Sequence, residues 1–238
     1  MEITLNNISR YYKNRLAIYD FTWTINFDNN NIFALIGPNG AGKTTILKII
    51  SGIYYFKSGE ISSSSQAKDY PIWARDNISF LQAGDRGLRF RNSVYDNVRY
   101  FGAMKGIYSK RVDELYNTYS KLLTMEDFRN RNVGDLSTGE KKKASLLCCL
   151  CSDSKIIILD EPSDGLDIDA KLNLQNIILK VAKDTDRKFV ISTHDIDFIS
   201  DIADNYTFIS KGKNTYQHSS QMTNEEIREK FMEVNSII

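Results

Sequence analysis

The sequence is short of several things, and each shortage excludes something. It holds 3 cysteines, 2 histidines and 3 prolines in 238 residues. The cysteines, Cys148, Cys149 and Cys151, are crowded together, whereas a disulfide framework spreads its cysteines along the chain. A zinc site would need a fourth ligand, and the only histidines are His194 and His218. The cluster therefore reads as small buried side chains on a helix, in a reducing compartment. Long hydrophobic runs are lacking too. None approaches the ~18 residues needed to cross a bilayer, and the longest, residues 146–151, sits between Lys143 and Asp153. The start, Met1-Glu2-Ile3-Thr4, has neither the basic nor the apolar segment of a secretion signal, so secretion is not expected. An excess of charge of one sign is also missing. Lys and Arg number 31 against 30 Asp and Glu, a net charge of +1, which gives no general reason to expect nucleic acid. What is present is ordinary for a soluble globular chain: 42% hydrophobic and 26% charged residues. The length suits one domain, or two small lobes sharing a core.

Residues 2–8 and 21–27 alternate apolar and polar side chains, as half-buried antiparallel strands do. Asp28-Asn29-Asn30-Asn31 reads as a turn. Residues 32–36 are a continuous apolar run, the mark of a strand buried on both faces. A glycine-rich segment follows, then a helical pattern over 43–50. Further strands are expected at 59–65, dissolving into serines, and at 78–81. Residues 94–104 have helical spacing, and 105–131 read as a charged helical stretch forming a separate lobe. Ser137 and Glu140 have the spacing of a capping box at the start of another helix. Strands at 156–159 and 189–193 alternate with helices at 171–182 and 196–203. A hairpin over 206–210 and 214–218 and an amphipathic helix over 224–234 complete the chain. Strands alternating with helices imply an α/β fold with a mainly parallel sheet.

Two motifs carry chemistry by themselves. Gly37-Pro38-Asn39-Gly40-Ala41-Gly42-Lys43-Thr44 has the spacing of a phosphate-binding P-loop, set between a strand and a helix. Its glycines let backbone N–H groups close around phosphate oxygens, and the helix adds its positive end. Lys43 is placed to reach the β- and γ-phosphates of a nucleotide, and Thr44 to offer a hydroxyl to Mg²⁺. Next, the apolar strand Ile156-Ile157-Ile158-Leu159 ends in Asp160-Glu161. A carboxylate at such a strand end lies beside the P-loop. Asp160 is expected to hold Mg²⁺, and Glu161 to polarise a water as general base.

Leu136-Ser137-Thr138-Gly139-Glu140 resembles the LSGGQ signature of ABC ATPases. Gln82, the run Ser163-Asp164-Gly165-Leu166-Asp167, and His194 in Ser192-Thr193-His194-Asp195 resemble that family's Q-, D- and H-loops, in the right order. Tyr12 resembles its adenine-stacking aromatic, with Tyr11 as competitor. The resemblance runs from residue 2 to about 218. It implies an N-terminal antiparallel β lobe and P-loop core over 1–82, and a Q-loop and helical subdomain over about 83–137. The signature helix, Walker B strand and H-loop fall in 138–218, and a C-terminal helix in 219–238. It further implies ATP and Mg²⁺ as ligands, with Tyr12, residues 37–44 and Thr45 around the nucleotide. Thr44, Gln82 and Asp160 would surround the metal, and Glu161, His194 and Gln82 the attacking water. Ser137, Thr138, Gly139 and Glu140 would meet the nucleotide of a second copy in a head-to-tail dimer, with Asp167 in the D-loop. Thr138 and Glu140 depart from the usual glycine and glutamine. They are expected to add bulk and negative charge near that second nucleotide.

The first functional expectation is the ATP-hydrolysing subunit of an ABC transporter, on the cytoplasmic face of the membrane. It would pair with another ABC ATPase subunit and drive a separate transmembrane subunit through residues 83–97 and the helical lobe. The look is that of small bacterial exporters of peptides, drugs or lipids. The alternatives are a soluble ABC ATPase of a cofactor-assembly or other non-transport complex, and a weakly hydrolysing ATP-binding regulator.

Overall fold

The computed structural model describes residues 1–13, 15–28, 31–65, 69–84 and 87–236. Two sheets organise the chain. β1 (Glu2–Tyr12), β2 (Arg15–Asn26) and β4 (Ser58–Ser63) form an antiparallel sheet in the order β2-β1-β4. The second sheet has six strands: β3 (Ile32–Ile36), β5 (Ile78–Leu81), β6 (Ile156–Asp160), β7 (Lys188–Thr193), β8 (Asn205–Ser210) and β9 (Lys213–His218). Their order is β5-β6-β7-β3-β8-β9, parallel except for the closing β8–β9 hairpin. The mainly parallel α/β reading therefore holds. The expected turn at Asp28 includes residues 29 and 30, which lie outside the described ones.

The strands explain their own composition. All five residues of β3 are buried. Ile32, Ala34 and Ile36 belong to one apolar cluster, while Phe33 and Leu35 belong to another on the opposite face. β6 divides likewise, Ile157 and Leu159 against Ile156 and Ile158. Side chains alternate across a strand, so only a strand covered on both faces is apolar at every position. One face carries α1 (Lys43–Ile50), α2 (Tyr70–Asn77) and the antiparallel sheet. The other carries α3 (Val94–Met104), α4 (Ser109–Leu123), α5 (Thr138–Cys151), α6 (Ile168–Asp184), α7 (Ile196–Ser200) and α8 (Asn224–Ser236).

The helix α2 was not expected from the sequence. Asp69 precedes it, Pro71 lies in its first turn, and Tyr70, Trp73 and Ala74 form its buried stripe. The charged stretch 105–131 resolves into α4 and a short 3₁₀ turn at Glu126–Phe128, and a second such turn follows at Val133–Asp135. Instead of having a core of its own, this lobe lays α3 and α4 on α5 and shares one buried cluster with the parallel sheet. The cysteines of α5 are free and buried, as expected.

Candidate active site

Strand register brings the candidate residues together. Ile36 pairs with Thr193, Asp160 with Ser192, and Leu81 with Leu159. The ends of β3, β6, β7 and β5 therefore share one edge of the sheet. Each hands over there to a segment singled out in the sequence: the P-loop, Glu161, His194 and Gln82. Ligands bind at this edge in open parallel sheets.

The P-loop turns on glycine geometry. Gly40 and Gly42 have φ of +81° and +110°. At Gly42 an added Cβ would come within 2.6 Å of Ile18 Cδ1. Gly42 is also the N-cap of α1, where no side chain caps the helix, so the backbone N–H groups there suit an anion. Lys43 folds back along the loop. Its Nζ donates to the carbonyls of Gly37 (2.6 Å) and Pro38 (3.2 Å) and stands 2.9 Å from Glu161 Oε1.

Asp160 is fully buried, and two neutral hydroxyls donate to it: Thr44 to Oδ2 at 2.8 Å and Ser192 to Oδ1 at 2.6 Å. Both oxygens of this buried carboxylate therefore have a hydrogen-bond partner. Carboxylate and hydroxyl oxygens on one spot also form the donor set of a hard divalent cation. Asp160 and Thr44 therefore fit Mg²⁺, which when bound would offset the phosphates' charge.

Glu161 sits in the left-handed region at φ +48°, a strained backbone of the kind functional sites retain. Its N–H donates to Ser192 O at 3.0 Å. Its Oε2 accepts the backbone N–H of His194 (3.2 Å) and lies 3.0 Å from His194 Nδ1. The carboxylate is thus held between the P-loop lysine on one oxygen and the histidine on the other. Tyr12, at the end of β1, places its hydroxyl 3.4 Å from Thr45 Oγ1. Tyr12, Pro38, Asn39, Gly40, Thr45 and Glu161 are among the residues lining a cavity of about 600 Å³, a size that takes a small ligand.

Some expected residues lie elsewhere. Gln82 is half-buried and lines a neighbouring space of about 210 Å³ beside Phe101 and Cys149. The signature residues do not line the P-loop cavity. Ser137 caps α5, accepting from Glu140 N at 3.3 Å, while Glu140 Oε2 accepts from Ser137 N at 2.7 Å. The capping box expected from spacing is formed. The hydrogen bond from the Ser137 backbone holds the Glu140 carboxyl below its usual range. The charge of Glu140 is thus turned back onto its own helix. Thr138 and Gly139 lie beside the D-loop and α6: a Cβ placed at Gly165 would meet Thr138 Cγ2 at 3.9 Å, and one placed at Gly139 would meet Ala170 Cβ at 3.9 Å. Asp167 caps α6 through Oδ1, accepting from Ala170 N at 2.8 Å.

Two residues around the site were missed by sequence reasoning. Ser192 stands two positions before His194 on β7, beside β6, and only the strand order shows that it reaches Asp160. Lys211 lines the nucleotide cavity from the β8–β9 turn. That turn is tied to the P-loop by Gly212 N–H donating to Ala41 O at 2.8 Å. Nothing local to Lys211-Gly212-Lys213 signals this approach.

The sequence pattern of the ABC transporter family matches residues 21–164. The ABC transporter ATP-binding protein NatA of Bacillus subtilis is 29% identical over 220 residues, covering 90% of this chain and 88% of its own length. The tungstate uptake system ATP-binding protein TupC of Peptoclostridium acidaminophilum is 29% identical over 213 residues, covering 90% and 96%. Among solved structures, the dimeric post-hydrolysis state of the ATP-binding cassette MJ0796, bound to ADP and Pi, superposes with a TM-score of 0.78. It shares 20% identity and covers 91% of this chain and 98% of its own. With its phosphate-binding loop, paired carboxylates and histidine gathered on one sheet edge, the chain belongs to the ABC transporter family as an ATP-binding cassette ATPase.

Proposed function

We propose that the chain hydrolyses ATP as one half of a head-to-tail dimer and drives a separate transmembrane subunit. The observation that carries the hydrolytic part is Glu161, held between Lys43 and His194 beside the Asp160–Thr44 pair. Lys43 and the N-terminus of α1 take the β- and γ-phosphates. Thr44 and Asp160 hold Mg²⁺. Arrival of the γ-phosphate gives Lys43 a stronger anion than Glu161, which frees that carboxylate to take a proton from water while His194 orients it. Tyr12 forms the platform for the base. The signature residues, absent from the cavity of their own chain, are exposed or half-exposed at the start of α5, as suits a surface that completes the site of a second copy. The Ser137 hydroxyl, which accepts one bond from Glu140, retains its hydrogen for a phosphate oxygen.

The membrane partner docks on a groove between β5, α2, α3 and α5. This space of about 400 Å³ is walled by Ile53, Ile78, Phe80, Phe101 and Met104, with Lys105 and Ser152 as polar neighbours. It shares Ile53, Phe80, Phe101 and Cys149 with the space lined by Gln82. Gln82 thus stands where the nucleotide edge of the sheet meets the docking face. No described helix is long and apolar enough to cross a membrane. The groove supports a subunit docked on a membrane partner, which we place on the cytoplasmic face, where ATP is supplied. The relatives above carry names for uptake as well as general ABC transport, so nothing in them favours export of a peptide, drug or lipid. The proposal stops at transport through another polypeptide.

ATP turnover by Glu161→Gln tests the hydrolytic part. We expect turnover to fall by at least about 100-fold, with ATP still bound and a dimer trapped on gel filtration. Turnover at the wild-type rate would remove Glu161 from the reaction. Extraction in detergent tests the docking part: a polytopic membrane protein should co-purify, and an exclusively soluble partner would overturn it.

A further inference from the structure

Arg10 lies two positions before Tyr12 on β1, and the two side chains meet on one side of the strand. Among the described residues it forms no ion pair. It is surrounded by rings instead. Its guanidinium carbon is 4.1 Å from the centroid of Tyr54 and 4.9 Å from that of Tyr12. The two tyrosines meet edge to face, with centroids 6.1 Å apart and planes at 75°. Lys48 of α1 sits on the Tyr54 ring at 5.1 Å, and Arg10 also donates to the carbonyl of Tyr55. The Arg10 Nε is buried and takes no hydrogen bond. A guanidinium tolerates that position against aromatic faces, since it is planar, weakly hydrated and attracted by their quadrupoles. The Tyr12 phenol bears the imprint of this cluster. Burial pushes its pKa up, but hydrogen bonds from Thr45, Tyr54 and Arg10 outweigh burial and hold it below its ordinary value.

We propose that Arg10 is a positioning residue for the nucleotide base, clamping Tyr12 against Tyr54 so that the purine meets a ring already set in place. The proposal rests on the reading of Tyr12 as the base platform. Tyr12 stands at the end of a strand, 42% exposed, and without the clamp only its hydroxyl contact with Thr45 and the edge of Tyr54 would hold the ring. Its ring would then be ordered at the expense of binding, and a pre-ordered contact avoids that loss. The clamp acts on the base alone, because the phosphates are held by the P-loop and α1.

The test compares ATP with inorganic triphosphate, which has the phosphates and no base. Binding of each in the presence of Mg²⁺ is titrated calorimetrically for wild type, Arg10→Gln, Arg10→Lys and Tyr12→Ala. Arg10→Gln should weaken ATP about 3- to 10-fold and leave triphosphate affinity within about twofold. In turnover its KM for ATP should rise while kcat at saturation holds. Arg10→Lys, which retains the cation without the planar fork, should fall between. If Tyr12→Ala weakens ATP selectively and Arg10→Gln does not, the clamp is refuted and the platform survives. If Tyr12→Ala leaves both ligands unaffected, the platform itself falls. Equal losses of ATP and triphosphate in Arg10→Gln would mean a general disturbance of the site and would also overturn the proposal.

Discussion

Replacing Ser192 by alanine removes one oxygen from the middle of the parallel sheet. Ser192 is fully buried, and its hydroxyl is one of two donors to the fully buried Asp160 carboxylate, at 2.6 Å. The Glu161 N–H retains the Ser192 carbonyl at 3.0 Å, so the backbone loses little. The cost is that of one hydrogen bond to a buried charge, about 2 kcal/mol. For a chain of this length that lowers the melting temperature by about 4–8 °C. The assay is reversible thermal or urea unfolding of the nucleotide-free protein, extended to a double-mutant cycle with Asp160→Asn. Because the serine acts through the carboxylate, its loss should matter less once the charge is gone. The coupling should be about 1 kcal/mol or more, well above the roughly 0.5 kcal/mol scatter of independent sites. An unchanged melting temperature, or strict additivity, would show that Asp160 does not depend on Ser192 and that the reasoning about its buried charge is wrong.

Further expectations follow from the same physics. Burial lowers the Lys105 pKa to about 8, so between about pH 8 and the ordinary lysine pKa the unfolded chain binds more protons. Stability should therefore rise with pH across that window, by up to about 3 kcal/mol, and Lys105→Met should abolish the rise in pH-dependent unfolding curves. Gly42→Ala forces a side chain into a φ of +110° and against Ile18; about 2–4 kcal/mol of strain and overlap should appear as lost stability and lost ATP affinity in calorimetry. Glu140→Ala breaks the Ser137 capping box and should lower stability by about 1 kcal/mol, whereas Glu140→Gln, which retains an acceptor, should stay close to wild type in thermal melts. Burial pushes the Cys149 thiol up to about 12, so a thiol reagent at pH 8 should label the native protein slowly and the urea-unfolded protein at once.

The legible parts of the fold were those with strong local signals. The strands β3 and β5 and the helices α1 and α3 fall where periodicity and flanking turns place them. The helix α2 escaped notice because it has only 8 residues, too few for its period to show, and its proline reads as a breaker although the first turn tolerates one. The β1–β2 hairpin runs further than alternation implies, because register shifts between Leu5 and Tyr11 break the period of two. In the site, motif spacing singled out Lys43, Thr44, Asp160 and Glu161, the family resemblance singled out His194, and the structure joins Lys43 and His194 to Glu161 and Thr44 to Asp160. Contacts that depend on strand order were out of reach, above all Ser192 on Asp160 and the β8–β9 turn on the P-loop. Glu140 shows a different gap. Its spacing implied a cap and the family resemblance a charge near a second nucleotide, and the geometry forms the cap.

The pairing of β3 has a consequence for how the protein is made. The strand that delivers the P-loop ends at Ile36, yet both of its neighbours, β7 and β8, begin at Lys188 or later. The clip from Gly212 to Ala41 comes later still. A growing chain makes its nucleotide loop about 150 residues before the strands that wall it. Contacts so distant in sequence are slow to close. The cassette should therefore acquire ATP affinity only after β8 has been made, and a chain halted before residue 205 should have a P-loop in sequence but none in shape.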